Sequence, residues 1–331
     1  EESFGILDRG KAMVEKYGIK RYTLNHEEEI GTARYVEPQK AKKIEMFLYI
    51  IVIIAIIAAL LFILYLTAIM PRTYHGADHR PFIGTLYAHR GLYDNKSQAP
   101  ENSMAAFRRA VESGYGIELD VQLSNDGVPV IFHDFTLKRI CGIPGKVCDY
   151  SFDELSKMHL LGSDEVIPSF RSFLSMVNGR VPLLGEFKSE SWRPEICSRA
   201  GRLLRDYNGT YCIESFNPFV LFWFRIKRTG VLRGQLSDNF ADAKLHGVRY
   251  FMMQYLMFDF LTRPDFISYN KNHYKNPSRM LCRHLFRGLS AGWTIKNQDE
   301  LEKMKDEFDM LIFEDFLPNK TRNDTSGTVG A

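Results

Sequence analysis

The chain of 331 residues is 45% hydrophobic, which supplies enough apolar side chain for a sizeable buried core and excludes a protein that is disordered throughout. Its 43 basic and 40 acidic residues leave a formal net charge of +3 and form no concentrated basic stripe, which argues against a nucleic-acid partner. The five cysteines show neither a CxxC pair nor zinc-type spacing. Cys141 and Cys148 either close a small disulfide loop or stay free thiols. No sequence feature indicates a protein partner.

The first strong pattern along the chain is an uncharged apolar segment from Met46 to Met70. A helix of this length crosses a hydrocarbon core of roughly 30 Å, so the segment is predicted to be a transmembrane helix that Pro71 ends. It begins too far into the chain for a cleaved signal peptide. Residues 1–45, rich in charge, are predicted to be a cytoplasmic tail. A slight excess of basic residues before the segment favours an extracytoplasmic position for the rest of the chain.

After a linker over residues 71–85, short apolar runs alternate with amphipathic stretches, which is typical of strand-helix repeats and a parallel sheet. The stretch SMAAFRRAVESG predicts one such helix, with Asn102 or Ser103 as its N-cap and Gly114 as its stop. Eight strands predict an α/β fold, a (β/α)8 TIM barrel over residues 86–318. The strands are expected near residues 86–89, 116–121, 182–188, 211–216, 232–237, 265–269, 289–295 and 309–314.

The stretch GIELDVQLSNDGVPVIFHD, residues 116–134, contains a ninth strand-like run. Only Ser124 to Gly127 separate this run from the strand before it, which is too short for a parallel crossover and predicts a hairpin. The hairpin would return His133 to the barrel rim. Residues 134–180 are then expected to form an inserted cap with helices in residues 151–160 and 167–177. Residues 319–331 are expected to be a C-terminal tail.

Three carboxylates are predicted at strand ends, where TIM barrels place their chemistry. Glu118 and Asp120 lie on one face of the second strand, and Glu186 ends the third. A hairpin with one solvated face would leave the first two in water. If they face inward instead, they need a cation, and oxygen ligands without a thiol suit Ca²⁺ or Mg²⁺.

Two histidines and two cations are predicted beside these carboxylates. Arg90 and Lys188 would neutralise an anionic group such as a phosphate. His89 and His133 can divide proton transfer between a nucleophile and a leaving group. Together with a metal site, this set indicates cleavage of a phosphodiester.

Residues 86–317 resemble the glycerophosphodiester phosphodiesterases. The matching stretches, in order and with matching spacing, are YAHRG, PENSMAAFRRAVESGYGIELDVQLSNDGVPVIFHDFTLKRICG, LLGEFK, ESF and GWTI. The resemblance implies a (β/α)8 barrel with a small insertion after the second strand. It also implies a hydrolase that depends on a divalent metal and releases glycerol 3-phosphate and an alcohol.

By position, the resemblance implies a catalytic acid/base pair, three metal ligands, two cations that contact phosphate and an aromatic near the glycerol end. In that order, these are His89 and His133, Glu118, Asp120 and Glu186, Arg90 and Lys188, and Trp293. Which histidine is the acid stays open, as does the choice between direct attack by water and a cyclic phosphate formed by the glycerol hydroxyl.

Two stretches depart from the family pattern. The last strand reads LIFEDFLP where a Thr-Asp pair is usual, which leaves the role of Glu314 and Asp315 open. Residues 238–264 are long and apolar, and form either an extra helix packed on the barrel or a surface that dips toward lipid. The alternative activities are a lysophospholipase D-type or envelope glycerophosphate-polymer hydrolase, and an inactive membrane-anchored binding module.

Overall fold

The computed structural model describes residues 38–73 and 78–319, with backbone alone for residues 38–41. The predicted N-terminal tail lies outside the described residues up to residue 37, as does nearly all of the predicted C-terminal tail. The chain divides into two compact units, Glu1–Tyr65 and Leu66–Ala331. The division into tail, span, linker and cap that the sequence suggests remains a prediction.

One long helix, α1, runs from Pro38 to Ile69 and contains most of the predicted span. Its apolar part, Lys42–Ile69, has 28 residues and is long and apolar enough to cross a membrane. Pro71 follows closely, and because proline has no backbone N–H and clashes with the preceding turn, the helix cannot continue through it.

Eight parallel strands close into a barrel, which confirms the predicted fold class. Each strand pairs with its neighbours in the order β1, β2, β4, β5, β6, β7, β8, β9, and β9 pairs with β1 to complete the ring. The strands are β1 (Leu86–Ala88), β2 (Gly116–Leu123), β3 (Pro129–Ile131), β4 (Leu183–Phe187), β5 (Tyr211–Ser215), β6 (Arg233–Ser237), β7 (Phe266–Asn270), β8 (Leu289–Ile295) and β9 (Met310–Phe313).

Helices cover the outside of the barrel and build the cap. The first of them, α2, begins with Ser103, whose hydroxyl accepts a hydrogen bond from the Ala106 amide at 3.1 Å, so Ser103 is the N-cap. The helices are α2 (Met104–Glu112), α3 (Lys138–Cys141), α4 (Phe152–Leu155), α5 (Phe170–Val177), α6 (Glu195–Arg205), α7 (Pro218–Lys227), α8 (Val248–Gln254), α9 (Asp259–Thr262), α10 (Pro277–His284) and α11 (Gln298–Met304).

The strand β3 pairs antiparallel with β2, as the short turn predicts. Gly127 takes a left-handed φ of 75° in this turn. Helices α3, α4 and α5 follow, and the insertion has its own apolar cluster, which includes Phe132, Leu137 and Leu155. Cys141 and Cys148, which could have closed a disulfide here, are free thiols.

Apolar side chains plug the barrel below its carboxyl end. The plug consists largely of inward-pointing strand residues, and several of them, such as Leu184 and Cys212, lie two positions before a polar residue of the mouth. Its buried members are Phe82, Tyr87, Leu184, Cys212, Leu232, Phe266, Ala291, Met310 and Ile312. The polar residues of the mouth therefore lie above an apolar layer.

The long segment after β6 forms two short helices, α8 and α9. Met253 and Leu256 are buried against the rest of the barrel, whereas Phe251 and Phe260 remain about half exposed. The segment therefore contains the extra helix that the sequence suggested and also presents apolar side chains to the outside.

Candidate active site

A cavity of about 770 Å³ opens at the carboxyl ends of the barrel strands. It brings together the predicted site residues. Asp120, which is 1% exposed, is bonded to residues of the cavity wall, and the other predicted residues line the cavity. The lining members are His89, Arg90, Glu118, His133, Glu186, Lys188 and Trp293.

Three carboxylates form the floor of this cavity. Glu118 and Asp120 point inward from β2, and Asp120 lies opposite Glu186 on the neighbouring strand β4. One oxygen atom from each residue lies within 4.8 Å of the others, and all three side chains are buried. The acids therefore face inward and not toward water. A buried set of oxygen donors with no thiol fits a hard divalent cation.

The mutual repulsion of these carboxylates changes their affinity for protons. Burial, reinforced by the charge of Asp120, raises the pKa of Glu186 to about 7 and raises the pKa of Glu118 well above its usual value. Burial alone would raise the pKa of Asp120 as well. The positive charges of Lys188, His133 and Arg90 outweigh this effect and lower the pKa of that carboxyl. Asp120 is therefore the most strongly ionised member of the set.

Lys188 and Arg90 compensate part of this negative charge. The Lys188 ammonium lies 2.9 Å from a Glu186 oxygen and 3.2 Å from an Asp120 oxygen. The Arg90 backbone N–H donates to Glu118 at 2.9 Å, and Arg90 adopts a left-handed φ of 57°. Asn102 donates its amide to Asp120 at 2.8 Å. Both cations thus stand at the edge of the carboxylate set, where an anionic ligand would approach.

His89 is held by a carboxylate from the last strand. Its Nδ1 lies 2.5 Å from a Glu314 oxygen, while its Nε2 lies 3.9 Å from Glu118. Glu314 also accepts from the Tyr93 hydroxyl at 3.2 Å and pairs with Lys296 at 2.9 Å. These charges and hydrogen bonds lower the pKa of Glu314 although burial alone would raise it. An ionised Glu314 accepts from Nδ1–H and leaves Nε2 to face the cavity.

His133 is held from the other side of the mouth. Its Nδ1 lies 2.6 Å from Asp134, which Arg139 contacts through two hydrogen bonds. The Gln122 amide binds the backbone carbonyls of residues 132, 133 and 134, which fixes the point where the hairpin returns to the rim. Burial, together with the positive charges of Lys188 and Arg90, lowers the pKa of His133. This favours a neutral imidazole at the cavity wall.

Glu101 connects the cap to the barrel and was not assigned a role from the sequence. It accepts from Arg90 at 2.7 Å and from two nitrogens of Arg139 at 2.8 and 2.9 Å. Its position next to Asn102 and three residues before α2 gives no local signal of this role. Asp134 and Glu314, by contrast, were recognisable as candidates because each adjoins a strand end or a predicted site residue.

Glu214 is a fourth carboxylate that sequence reasoning did not assign. It lies opposite Glu186 in the pairing of β4 with β5, is 2% exposed and lines the cavity. Burial, with the charges of Glu186 and Asp120, raises its pKa to about 8. The signal was present, because Glu214 lies near the end of the strand predicted over residues 211–216. Trp293, which was predicted, lies across the cavity with its ring centre 6.1 Å from that of Phe216.

Comparison with known protein families identifies similar sequences. The sequence model of the Glycerophosphoryl diester phosphodiesterase family matches residues 89–306. YhdW of Bacillus subtilis is 34% identical over 239 residues, which cover 66% of this chain and 89% of YhdW. A glycerophosphodiester phosphodiesterase of Caldanaerobacter subterraneus is 50% identical over 145 residues, or 40% of this chain and 58% of that protein.

Mammalian relatives match over a smaller share of their length. Glycerophosphodiester phosphodiesterase 1 of Bos taurus is 34% identical over 172 residues, which cover 48% of each chain. This chain therefore spans about half the length of that relative. The human protein of the same name is matched over 27% of its length.

Solved structures share the barrel. A phosphodiesterase of Oleispira antarctica, described in complex with the product sn-glycerol-3-phosphate, has a TM-score of 0.57 and 22% identity, over 70% of this chain and 93% of that one. A glycerophosphodiester phosphodiesterase of Thermotoga maritima has a TM-score of 0.54 and 22% identity, over 72% and 95%. At these identities the likeness supports the fold alone.

We expect the affinity of the carboxylate set for Mg²⁺ or Ca²⁺ to fall as the pH decreases below about 7, because protons then compete with the cation for Glu186. Calorimetric titration of the EDTA-treated full chain, at one pH below this value and one above it, measures the effect. Removal of a group that only supports a metal ligand lowers metal affinity by roughly 10- to 100-fold. Glu186→Gln removes a ligand itself, so its loss of affinity should be larger. Glu300→Gln, on the cavity wall, is the control. Equal affinity in the two variants would contradict the assignment.

Proposed function

Because the chain belongs to the glycerophosphoryl diester phosphodiesterase family, we propose that it hydrolyses glycerophosphodiesters to glycerol 3-phosphate and an alcohol. The convergence of three carboxylates, two cations and two histidines in one cavity carries this proposal. The glycerol 3-phosphate named with the Oleispira antarctica protein is consistent with the same product.

Arg90 and Lys188 are proposed to bind the phosphate of the substrate. Both carry permanent positive charge at the edge of the carboxylate set, and the planar guanidinium can donate to two phosphate oxygens at once. Glu118, Asp120 and Glu186 would hold a divalent cation, Ca²⁺ or Mg²⁺, whose positive charge polarises a phosphoryl oxygen. Trp293 provides an apolar wall for the carbon chain of the glycerol.

His89 and His133 are proposed to transfer the protons of the reaction. One accepts a proton from the attacking oxygen and the other donates a proton to the departing alcohol, so that neither oxygen carries a full charge. Each histidine has a carboxylate at Nδ1, namely Glu314 or Asp134, which leaves Nε2 for this exchange. The same arrangement serves direct attack by water and attack by the adjacent glycerol hydroxyl.

The apolar helix α1 is proposed to anchor the barrel to a membrane as a single span, with the tail on the cytoplasmic side and the barrel on the other. Its uncharged part, residues 46–69, at 1.5 Å per residue exceeds the roughly 30 Å of a hydrocarbon core. The slight excess of basic residues before the predicted span over residues 46–70 supports this orientation. The proposed organisation is a tail over residues 1–45, a span over 46–70, a linker over 71–85, a barrel over 86–318 with the cap over 134–180, and a second tail over 319–331.

We expect His89→Ala to lower kcat for glycerophosphocholine by about 10²- to 10⁴-fold, the usual contribution of one general acid or base. Release of glycerol 3-phosphate by the full chain in detergent, with Mg²⁺, Ca²⁺ or EDTA, measures the effect. His159→Ala, which removes an exposed histidine of the cap, is the control and should retain activity. Turnover that persists in EDTA or in His89→Ala would contradict the proposal.

Glu314 is expected to act as a positioning residue for His89. Glu314→Ala removes a hydrogen bond between charged groups, worth about 1.5–3 kcal/mol, and should therefore lower kcat by roughly 10- to 100-fold with little change in KM. Glu314→Gln retains an acceptor oxygen and should restore part of the rate.

Asp315→Asn is the matched control for this pair, because Asp315 neighbours Glu314 and lies 3.7 Å from the same lysine without contacting His89. Steady-state kinetics on all three variants tests the assignment. A change confined to KM, or an equal effect in Asp315→Asn, would show that Glu314 does not position His89.

A further inference from the structure

The end of the barrel opposite the cavity receives the chain where it leaves helix α1. The Ile69 carbonyl accepts from the Cys282 thiol at 3.2 Å, and the Met70 carbonyl accepts from Arg263 at 2.8 Å. The Arg72 amide donates to Pro264 at 2.8 Å. The segment 69–72 therefore lies against the loops that lead into β7 and against α10, within the unit that contains the barrel.

Four large apolar side chains are exposed on the helices and loops that surround this point. Ile226, Phe260 and Leu285 precede β6, β7 and β8 and are 56%, 50% and 55% exposed, while Ile83 precedes β1 and is 47% exposed. These four strands and β9 are consecutive neighbours in the ring. We call these four residues the apolar arc.

The same loops carry a positive charge. Their exposed or half-exposed charged residues are basic except for Asp78, which is bonded to Arg80 at 2.8 Å. Asp259 and Asp265 also belong to these loops but are buried. The loop before β9 interrupts this pattern with Asp306 and Glu307. The cations are Arg80, Lys227, Arg228, Arg263 and Arg287.

We propose that the apolar arc inserts into the interface of a phospholipid bilayer, so that the cavity opens toward the aqueous phase. The position of helix α1 in the chain is the reason for choosing a bilayer as the partner of the arc. Helix α1 is long and apolar enough over Lys42–Ile69 to cross a membrane, and the last of these residues, Ile69, is bonded to α10 beside the arc. The end of a helix that crosses a bilayer lies at headgroup level, and loops bonded to that end lie there too.

The composition of the arc fits this location. Side chains of this kind, flanked by lysine and arginine, lie roughly 5–10 Å into the boundary between headgroups and acyl chains. Lysine and arginine at this level are attracted to an anionic leaflet. The cavity lies at the other ends of the same strands, so its charged residues face away from the lipid.

Site-specific labelling of the full chain in nanodiscs of phosphatidylcholine and phosphatidylglycerol tests the proposal. An environment-sensitive fluorophore is attached to Ile226→Cys or Leu285→Cys, with Cys141 and Cys148 replaced by serine. The matched control is Trp192→Cys, because Trp192 is also apolar and is 63% exposed, but follows β4 at the cavity end.

We expect both arc labels to emit at shorter wavelength, to be quenched by nitroxide-labelled lipid and to lose quenching by aqueous iodide. The Trp192→Cys label should show the reverse. Iodide quenching of both arc labels equal to that of the control would overturn the proposal. Protection that appears only as protein concentration rises would indicate a second copy on the arc and would also overturn it.

This orientation has a consequence for the substrate, which rests on the proposed hydrolase function. A cavity that faces water receives a soluble glycerophosphodiester more readily than a lysolipid held in the same bilayer. The full chain in nanodiscs should hydrolyse added glycerophosphocholine faster than lysophosphatidylcholine incorporated in the disc. Faster hydrolysis of the lysolipid would overturn the aqueous orientation. Protected arc labels with no turnover of either substrate would support the membrane face and count against the hydrolase.

Discussion

The repulsion among three buried carboxylates is the constraint on which the mouth of the barrel depends. Glu118, Asp120 and Glu186 lie too close together, and too far from water, to be ionised without compensating charge. Arg90 and Asn102 both adopt the left-handed backbone conformation, which is costly for residues other than glycine. From these positions the Arg90 backbone N–H donates to Glu118, and the Asn102 side-chain amide donates to Asp120. A cation that satisfied the carboxylates would free Arg90 and Lys188 to bind an anion.

The alternation of side chains along the strands explains how the barrel stays stable with several buried carboxylates at its mouth. Residues two positions apart on a strand share the barrel interior, so Leu184 lies below Glu186 and Cys212 lies below Glu214. The apolar plug stabilises the barrel by burial of hydrophobic surface, while it keeps water away from the carboxylates above it. The same layer that holds the strands together therefore raises the pKa of the acids at the mouth.

The sequence predicted the strands well because each reads as a short apolar run bounded by turn residues, and the bounds agree with the structure to within two residues. The site residues followed from the rule that barrels gather chemistry at strand ends. The hydrogen bonds and ion pairs between these residues could not be predicted from the sequence. Glu101 binds Arg139 across 38 positions, and His89 meets Glu314 across 225, and no local pattern encodes such partners. Glu214 was missed for another reason, because a strand-end acid reads equally well as a solvated residue.

The two ends of the barrel carry different chemistry, and the plug between them keeps the two separate. At the mouth, ion pairs and hydrogen bonds join polar side chains on or next to β1, β2, β4 and β9 and in the cap, so a change at Glu101 or Asp134 reaches a histidine. At the other end, Ile226 in α7 and Leu285 after α10 are exposed. Substitutions there should alter where the barrel lies and leave the cavity unchanged. In the proposed orientation, the location of the barrel and its chemistry depend on residues at opposite ends of the same eight strands.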